Sequence, residues 1–394
     1  MLIGIVGKPS CGKSTFFRAA TLAEAEIANY PFTTIKPNHG VGFVRIACAD
    51  KDFGKQCNPR FGYCLEENRF VPVDMLDVAG LVPGAHQGLG MGNQFLDDLR
   101  QADVLMHVID VSGSVNETGE PVEPLSYDPA KDVTFLEYEL DMWYTGIIKK
   151  GWDRFSRLIV QEKQSLHKAL AKQLSAFKVT EEMCDTAITR LGLNREKPTE
   201  WSEDNLYHLG TELRRRTKPM IIACNKVDVP GAMANHERLI RDFPDRIFIP
   251  CSAESELALK TAAKAGLIDY VPGNADFVIK DASKLSEKQI SALEFIRTNV
   301  LARFKGTGVQ QVLDRAVLEL LGYIAIYPGG VGKLEDKDGN VLPDCFWMPP
   351  GSTALDFAFR LHTDFGKNFI RAIDVRTKRT VGKDHKLNHR DVVE

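Results

Sequence analysis

Residues 7–15 read GKPSCGKST and decide the fold class, because they complete the pattern G-x-x-x-x-G-K-[ST] in this chain of 394 residues. An apolar run, LIGIV at residues 2–6, precedes the pattern, and a helix-like stretch at residues 16–28 follows it. A glycine turn between a strand and a helix N-terminus directs several backbone N–H groups into a small volume, as a phosphate chain requires. The sequence therefore predicts a loop that holds a nucleoside triphosphate.

Individual residues of this loop have separate predicted roles. Gly7 and Gly12 permit the close backbone approach to phosphate. Lys13 can reach the β and γ oxygens as a point charge, and the Ser14 hydroxyl can ligate Mg²⁺. The other nucleotide-binding candidates of the loop are Pro9, Ser10, Cys11 and Thr15.

Two further segments predict contacts to Mg²⁺ and to the γ-phosphate. The strand-like run FVPVDMLD ends at Asp77, whose carboxylate would orient the cation, and the amide of Gly80 would point at the γ-phosphate. The segment NYPFTTI at residues 29–35 would deliver a threonine hydroxyl to the cation, Thr34 in preference to Thr33. The glycine-rich residues 81–95 that follow are predicted to form a loop that responds to the γ-phosphate.

Base recognition is predicted far along the chain. The buried-type strand PMIIAC at residues 219–224 leads into Asn225, Lys226 and Asp228. A carboxylate at the last position can accept from the ring N1–H and the 2-amino group of guanine, which adenine does not offer, so the ligand is predicted to be GTP. Lys226 would cover the base with its apolar stem. A strand at residues 246–251 precedes further candidates, whose amides would meet the guanine carbonyl: Ser252, Ala253 and Glu254.

These motifs, taken in order, resemble the Obg branch of the translation-factor GTPases, nearest to its YchF subfamily. The resemblance rests on GKPSCGKST, NYPFTTI, DVAG with LVPGAHQGLGMGNQFLDDLRQAD, and NKVD. It implies an α/β fold, a P-loop NTPase G domain with a doubly wound sheet. Many YchF-like proteins have a changed base-recognition motif and prefer ATP, which is the alternative here. This chain keeps the motif, and it has Ser10 where potassium-stimulated relatives have asparagine, so potassium activation is not expected.

The catalytic group is the least determined part of the site. Ras-like enzymes orient the attacking water with a glutamine directly after D-x-x-G, whereas this chain has Leu81 there, and the resemblance implies the same replacement. Slow hydrolysis is therefore predicted. The catalytic candidates are Lys13, Gly80 and His86; a solvated loop histidine is the alternative interpretation of His86.

The domain prediction follows from changes in periodicity and composition. Residues 1–112 and 218–300 are assigned to the G domain, and residues 113–217 to an inserted α-helical hairpin arm, because apolar residues recur there at helical spacing. Residues 301–320 are predicted to be a connecting helix. Ser352 is predicted to cap a helix of the C-terminal domain. Residues 321–394 resemble the TGS domain, a ubiquitin-like β-grasp module.

Charge and composition bound the partners. The net charge of -3 gives no general attraction for nucleic acid, and neither DNA nor a membrane is an expected partner. No signal peptide is recognised, and a cytoplasmic location is expected. The TGS resemblance implies the ribosome or RNA as partner. The contacts are predicted to come from the helical arm, with its run Arg214-Arg215-Arg216, and from the basic C-terminal residues. The alternative interpretation is that these charged side chains are only solvated. Those C-terminal residues are Arg371, Arg376, Lys378, Arg379, Lys383, Lys386 and Arg390.

Two function classes follow. One is a slow GTPase switch whose triphosphate state binds ribosome or RNA, and the other is a nucleotide-dependent adaptor for protein partners whose hydrolysis is incidental. The eight cysteines are interpreted as reduced thiols. Cys48, Cys57 and Cys64 lie close together in a polar segment, but the spacing contains no C-x-x-C. Free thiols are therefore favoured there, with a small metal site as the alternative.

Overall fold

The computed structural model describes residues 1–22, 38–78 and 98–394. The chain divides into two compact units. The first unit contains residue 1 and residues 15–75 and 252–394; the second contains residues 2–14 and 76–251. Within the described ranges, none of the helices combines the length and the apolarity that crossing a bilayer requires.

The elements are numbered in chain order. The strands are β1 (Leu2–Val6), β2 (His39–Ala47), β3 (Tyr63–Leu65), β4 (Asn68–Asp77), β5 (Val104–Asp110), β6 (Met220–Asn225), β7 (Phe248–Pro250), β8 (Ile268–Asp269), β9 (Val278–Ile279), β10 (Ile324–Pro328), β11 (Phe346–Met348), β12 (Ala372–Asp374), β13 (Arg379–Val381) and β14 (Val392–Val393). The helices with defined bounds are α1 (Lys13–Thr21), α2 (Ala130–Lys149), α3 (Trp152–Glu162), α4 (Leu166–Gln173), α5 (Glu181–Arg190), α6 (Glu203–Thr217), α7 (Ala232–Asp242), α8 (Ala253–Lys264), α9 (Glu287–Phe295), α10 (Ala302–Phe304), α11 (Val309–Arg315), α12 (Ala354–Leu361) and α13 (Thr363–Lys367).

A parallel sheet organises the second unit. Strand β1 pairs with β5, β5 with β6, and β6 with β7, all in parallel. The Val78 amide, directly after β4, donates to the Ile5 carbonyl at 3.1 Å, so the end of β4 lies on the other side of β1. Every residue of β5 is buried, as expected for a parallel strand covered on both faces. The carboxyl ends of these strands meet at one edge, which confirms the predicted α/β P-loop fold class and is where such folds bind ligands.

The inserted segment is helical, as predicted, but it contains five helices, α2 to α6, and not a simple two-helix hairpin. The predicted hairpin is interrupted after Glu162, where α3 stops because Lys163 takes the left-handed conformation, with φ +51°. Helix α2 packs against α6, where the buried Arg214 guanidinium donates to Asp141 at 2.7 Å. Arg214 is 3% exposed, so the prediction that it contacts RNA is wrong.

The first unit contains the two-stranded sheet of β8 and β9 and the five-stranded sheet of the C-terminal domain. Strands β3 and β4 form an antiparallel hairpin. A five-stranded sheet, in the order β11-β10-β14-β12-β13, carries α12 and has the mixed pairing of a β-grasp module. The predicted cap is wrong by one residue: Thr353, not Ser352, accepts from the Asp356 amide at 3.2 Å and completes a capping box.

The helical region before this sheet is interrupted. Helix α9 starts with a capping box at Ser286 and continues through a π-helical stretch, Ile296–Leu301, into α10. Lys305 then has φ +60° and Gly308 φ +85°, and α11 begins at Val309. The predicted connecting helix over residues 301–320 is therefore broken by residues that cannot continue a right-handed helix.

Candidate nucleotide-binding site

The loop after β1 can be built only with glycine at two positions. Gly7 has φ +150°, and a Cβ there would lie 2.3 Å from the Val108 carbonyl oxygen of the adjacent strand. Gly12 has φ +97°, and a Cβ there would lie 2.2 Å from Asn225 Nδ2. Backbone conformation and close packing therefore both require the two glycines of the pattern.

Asn225, of the candidate base-recognition motif, fixes one side of the loop. Its Nδ2 donates to the Cys11 carbonyl at 3.0 Å, and the Cys11 thiol donates to the Lys8 carbonyl at 3.1 Å. Asn225 therefore connects the end of β6 to the loop. In this structure its side chain supports the loop. The clustering of Asn225 with the loop follows from the parallel strand order, in which β1 and β6 both flank β5.

A buried cation that the motif does not specify supports the other side of the loop. The Lys8 ammonium is 2.9 Å from the Asp132 carboxylate of α2, donates to the Val115 carbonyl at 2.8 Å and lies 3.7 Å from the centroid of the Tyr127 ring. Lys8 is 4% exposed. Sequence reasoning missed this group because position 8 is variable in the motif and its partners lie more than a hundred residues later.

Lys13 and the neighbouring loop residues lie at the start of α1 and in the turn before it. The Lys13 ammonium is buried and donates to the Lys8 carbonyl at 3.0 Å, which holds the charge within the loop. Pro9 lies beside Gly119, where an added Cβ would come within 2.6 Å of the proline Cβ. Ser10 is exposed with φ +60°, and Thr15 is half-buried in α1, which starts at Lys13 and not at the predicted residue 16.

Ser14 and Asp77 form the candidate Mg²⁺ site. The Ser14 hydroxyl donates to Asp77 Oδ2 at 3.2 Å, so the two predicted ligands lie together. Asp77 Oδ1 is buried and has no hydrogen-bond partner among the described residues, and burial raises the pKa of this carboxyl group. A hydroxyl beside an unsatisfied carboxylate oxygen fits the oxygen ligands that Mg²⁺ requires. Thr33, Thr34, Gly80, Leu81, His86 and Gln87 lie outside the described residues.

The candidate base-recognition group, Asp228, is half-buried and has no hydrogen-bond or ion-pair partner in the described part of the chain. Its neighbour Lys226 is fixed: φ is +63°, and the ammonium is 2.8 Å from Asp110 Oδ2. Asp110 itself is fully buried and accepts from the Ser112 amide at 2.9 Å. Within the described residues, the Asp228 carboxylate is therefore unpaired and lies two residues after an anchored lysine. Asp110 was not predicted, although its position at the end of a buried strand was a usable signal.

The remaining three candidates start helix α8 in the first unit. Ser252 and Ala253 are buried and Glu254 is exposed. The Ser252 amide donates to the Thr307 carbonyl at 2.9 Å. In the same unit, the buried Glu256 accepts from the Tyr270 hydroxyl at 2.7 Å. This network fixes the first turn of α8. Their predicted contact with a guanine oxygen stays a prediction.

Comparisons with known proteins identify the relatives of this chain. Family models match under the descriptions "50S ribosome-binding GTPase" at residues 2–136, "Obg-like GTPase YGR210-like, G4 motif-containing domain" at residues 223–330, and "TGS domain" at residues 334–394. An uncharacterized GTP-binding protein of Methanocaldococcus jannaschii is 48% identical over 393 residues, which cover 100% of this chain and 98% of that protein. The ribosome-binding ATPase YchF of Escherichia coli O157:H7 is 30% identical over 383 residues, covering 94% and 86%. The crystal structure of a GTP binding protein from Pyrococcus horikoshii OT3 matches with a TM-score of 0.78 at 40% identity, covering 100% of this chain and 98% of that one.

Proposed function

The chain belongs to the YchF/Obg-like GTPase family, and from this premise we propose that it binds GTP with Mg²⁺ and hydrolyses it slowly to GDP and phosphate. The observation that supports guanine is the carboxylate of Asp228, half-buried and unpaired among the described residues. Asp228 follows the anchored Asn225 and Lys226, so its backbone position is fixed by the same contacts that support the phosphate loop.

Guanine satisfies such a carboxylate better than adenine does. Its N1–H and 2-amino group are adjacent donors, whereas adenine presents an acceptor and a C–H at the corresponding edge. A partly desolvated carboxylate that loses its donors costs binding free energy, which makes rejection of adenine effective. ATP is the alternative ligand, because the E. coli relative is named as an ATPase.

A competition titration tests the guanine preference. The full-length protein is loaded with a fluorescent GDP analogue in the presence of Mg²⁺, and GTP, GDP or ATP is added. We expect GTP and GDP to displace the probe at concentrations at least about 100-fold lower than ATP, because only guanine satisfies the Asp228 carboxylate. Equal displacement by ATP would remove the argument for GTP and favour the ATPase alternative.

In the proposed hydrolysis of GTP, positioned positive charges contribute more than proton transfer by a side chain. Lys13 would hold phosphate oxygens, while Ser14 and Asp77 would hold Mg²⁺, which neutralises developing phosphate charge when it is bound. Leu81 can neither donate nor accept a hydrogen bond, so the residue after D-x-x-G cannot orient the attacking water. The expectation of slow turnover rests on this replacement, and the role of His86 stays a prediction.

We also propose that the triphosphate state associates with the ribosome or RNA. The E. coli relative is named ribosome-binding, and five basic side chains of the C-terminal region are exposed here: Arg371, Lys378, Arg379, Lys383 and Lys386. Two others of the predicted set are less available. Arg376 and Arg390 lie 2.7 and 3.3 Å from the Asp52 carboxylate, in ion pairs within the first unit.

Cosedimentation with ribosomes tests this association. We expect salt-sensitive binding that is stronger with a non-hydrolysable GTP analogue than with GDP. Reversing charge at exposed Lys383 and Lys386 should weaken it about 10-fold, because phosphate contacts dominate such affinities. Exposed Lys288 of α9 gives the matched control, Lys288→Glu, which should bind normally. Ribosome binding of equal strength with the GTP analogue and with GDP would contradict the GTPase-switch proposal and favour the adaptor function.

A further inference from the structure

We propose that Cys48, Asp50, Cys57 and Cys64 form a structural site for Zn²⁺. Their candidate ligand atoms, three thiol sulfurs and one carboxylate oxygen, all lie within 4.8 Å of one another. The Cys48 and Cys57 sulfurs are 3.3 Å apart. Tetrahedral zinc with Zn–S bonds of about 2.3 Å separates its sulfur ligands by about 3.8 Å, so small side-chain movements would complete the coordination.

The carboxylate supplies an independent reason to expect a cation. Asp50 has no exposed surface. Its Oδ2 accepts from the Cys57 amide at 2.9 Å, but Oδ1 is buried and has no hydrogen-bond partner among the described residues. A buried, unsatisfied carboxylate oxygen is costly, and coordination to a metal is one of the few ways to compensate it.

The local backbone explains how the four ligands converge. Cys48 follows β2, and its amide donates to the Glu67 carbonyl at 2.8 Å. Asp50 begins a short 3₁₀ turn, and Cys64 lies in β3 opposite Arg69 of the β3–β4 hairpin. The segment between β2 and β3 otherwise has little regular structure. Irregular segments of this size are commonly held by metal ligation, whose binding free energy contributes directly to folding.

Electrostatics beside the cluster agree with zinc thiolates. Arg69 is fully buried, and its guanidinium donates to the carbonyls of Leu342 and Pro343 at 3.0 and 2.9 Å. Its Nε has no hydrogen-bond partner among the described residues, and no carboxylate there is paired with it. Three thiolates and one carboxylate around Zn²⁺ carry a net negative charge, which the neighbouring guanidinium would stabilise.

Other chemistries fit the cluster less well. A disulfide between Cys48 and Cys57 would need a sulfur separation of about 2.05 Å and would leave Cys64 and the Asp50 oxygen without partners. Mg²⁺ and Ca²⁺ prefer oxygen ligands, whereas thiolates select softer cations such as zinc. The three thiols and one carboxylate therefore favour zinc over a disulfide and over Mg²⁺ or Ca²⁺.

The position of the site gives it a structural role. The Asn58 amide, between two of the cysteines, donates to the Val341 carbonyl at 2.9 Å, and the Arg390 guanidinium donates to the Cys48 carbonyl at 2.9 Å. The cluster thus lies where residues 48–64 pack on the C-terminal domain of the same unit. Zinc would fix this junction, and its removal should loosen the attachment of the TGS domain.

The primary test is the metal content and cobalt spectrum of the full chain, purified untagged with reducing agent and without chelator. We expect about one zinc ion per chain. After exchange with Co²⁺, the protein should show thiolate-to-cobalt charge transfer and the visible bands of tetrahedral cobalt. A protein with reduced thiols that contains no zinc and gives no such spectrum would overturn the proposal, as would a Cys48–Cys57 disulfide or iron in place of zinc.

Variants locate the site. Cys57→Ser and Asp50→Asn should lower zinc content and weaken Co²⁺ binding, whereas Cys184→Ser should behave as the wild type, because Cys184 is a similarly buried thiol in the helical insert. Far-UV circular dichroism checks that each variant folds. Zinc retained equally by Cys57→Ser and Cys184→Ser would place the metal elsewhere and contradict the assignment. If Cys57→Ser fails to fold, Asp50→Asn and the wild-type cobalt spectrum still decide the question.

Discussion

At the scale of single residues, the phosphate loop depends on contacts that the motif does not contain. Gly7, Gly12 and Lys13 could be predicted from the sequence because their roles are local to one turn. Lys8 could not, because its partner Asp132 comes from a helix that folds back onto the loop. Asn225 was predicted as a nucleotide ligand, which stays a prediction, and its hydrogen bond to Cys11 gives it a role in supporting the loop.

A buried histidine next to this loop predicts a pH dependence of stability. His107 in β5 is 1% exposed, and burial lowers its pKa to about 3. The unfolded chain takes up a proton near the ordinary histidine value, whereas the folded chain resists it. Stability is therefore full above about pH 6.5 and is lost as the pH falls toward 3.

Substitution of His107 tests this expectation. Between about pH 7 and pH 5, the free energy of unfolding of the wild type should fall by about 2 kcal/mol more than that of His107→Leu, which cannot bind the proton. Urea unfolding at several pH values measures the difference. The control His208→Gln, at an exposed histidine, should keep the wild-type slope. Parallel pH profiles for wild type and His107→Leu would show that His107 is not the group responsible.

At the scale of elements, strands were predicted better than the bounds of helices. The run FVPVDMLD was placed correctly within β4 because it is mostly apolar. Apolar periodicity continued across Lys163 and Lys305, where the backbone turns to positive φ. No residue pattern at Lys163 indicates a break, since lysine rarely adopts that conformation. After Lys305, Gly306 and Gly308 were a usable break signal. The helical insert was therefore predicted as fewer, longer helices than it contains.

The pairing of α2 with α6 depends on a buried ion pair. Arg214 and Asp141 have side chains only 3% and 7% exposed. Removing one partner with Arg214→Met should destabilise the chain by about 3–5 kcal/mol, because the remaining charge is buried and uncompensated. Chemical denaturation of the full chain measures this free energy of unfolding.

The same two helices provide a matched control. Lys149 of α2 and Glu203 of α6 form an exposed ion pair, with side chains 37% and 85% exposed. Lys149→Met should cost no more than about 1 kcal/mol, since water and salt screen such pairs. Equal costs for Arg214→Met and Lys149→Met would show that the buried pair does not stabilise the insert.

At the scale of the whole molecule, the order of motifs was sufficient to predict the family and the fold class. Motifs at the ends of successive strands assemble by topology alone, because parallel strands bring their carboxyl ends to one edge. The cysteine cluster shows the limit of this reasoning. Its spacing lacks a familiar metal pattern, and Asp50 joins the three thiols only when the hairpin folds. Similarly, Arg376 and Arg390 looked like RNA contacts until the fold paired them with Asp52.

Exchange of the base tests most directly whether the carboxylate of Asp228 selects guanine. Xanthine replaces the 2-amino donor of guanine with an oxygen acceptor, which the amide of an Asp228→Asn variant could satisfy. The measurement is the affinity of wild type and Asp228→Asn for GTP and XTP, by titration with Mg²⁺. We predict that the variant loses at least about 100-fold in GTP affinity and gains affinity for XTP. Unchanged GTP affinity in the variant, with no gain for XTP, would contradict the assignment of Asp228 and with it the proposed GTP site.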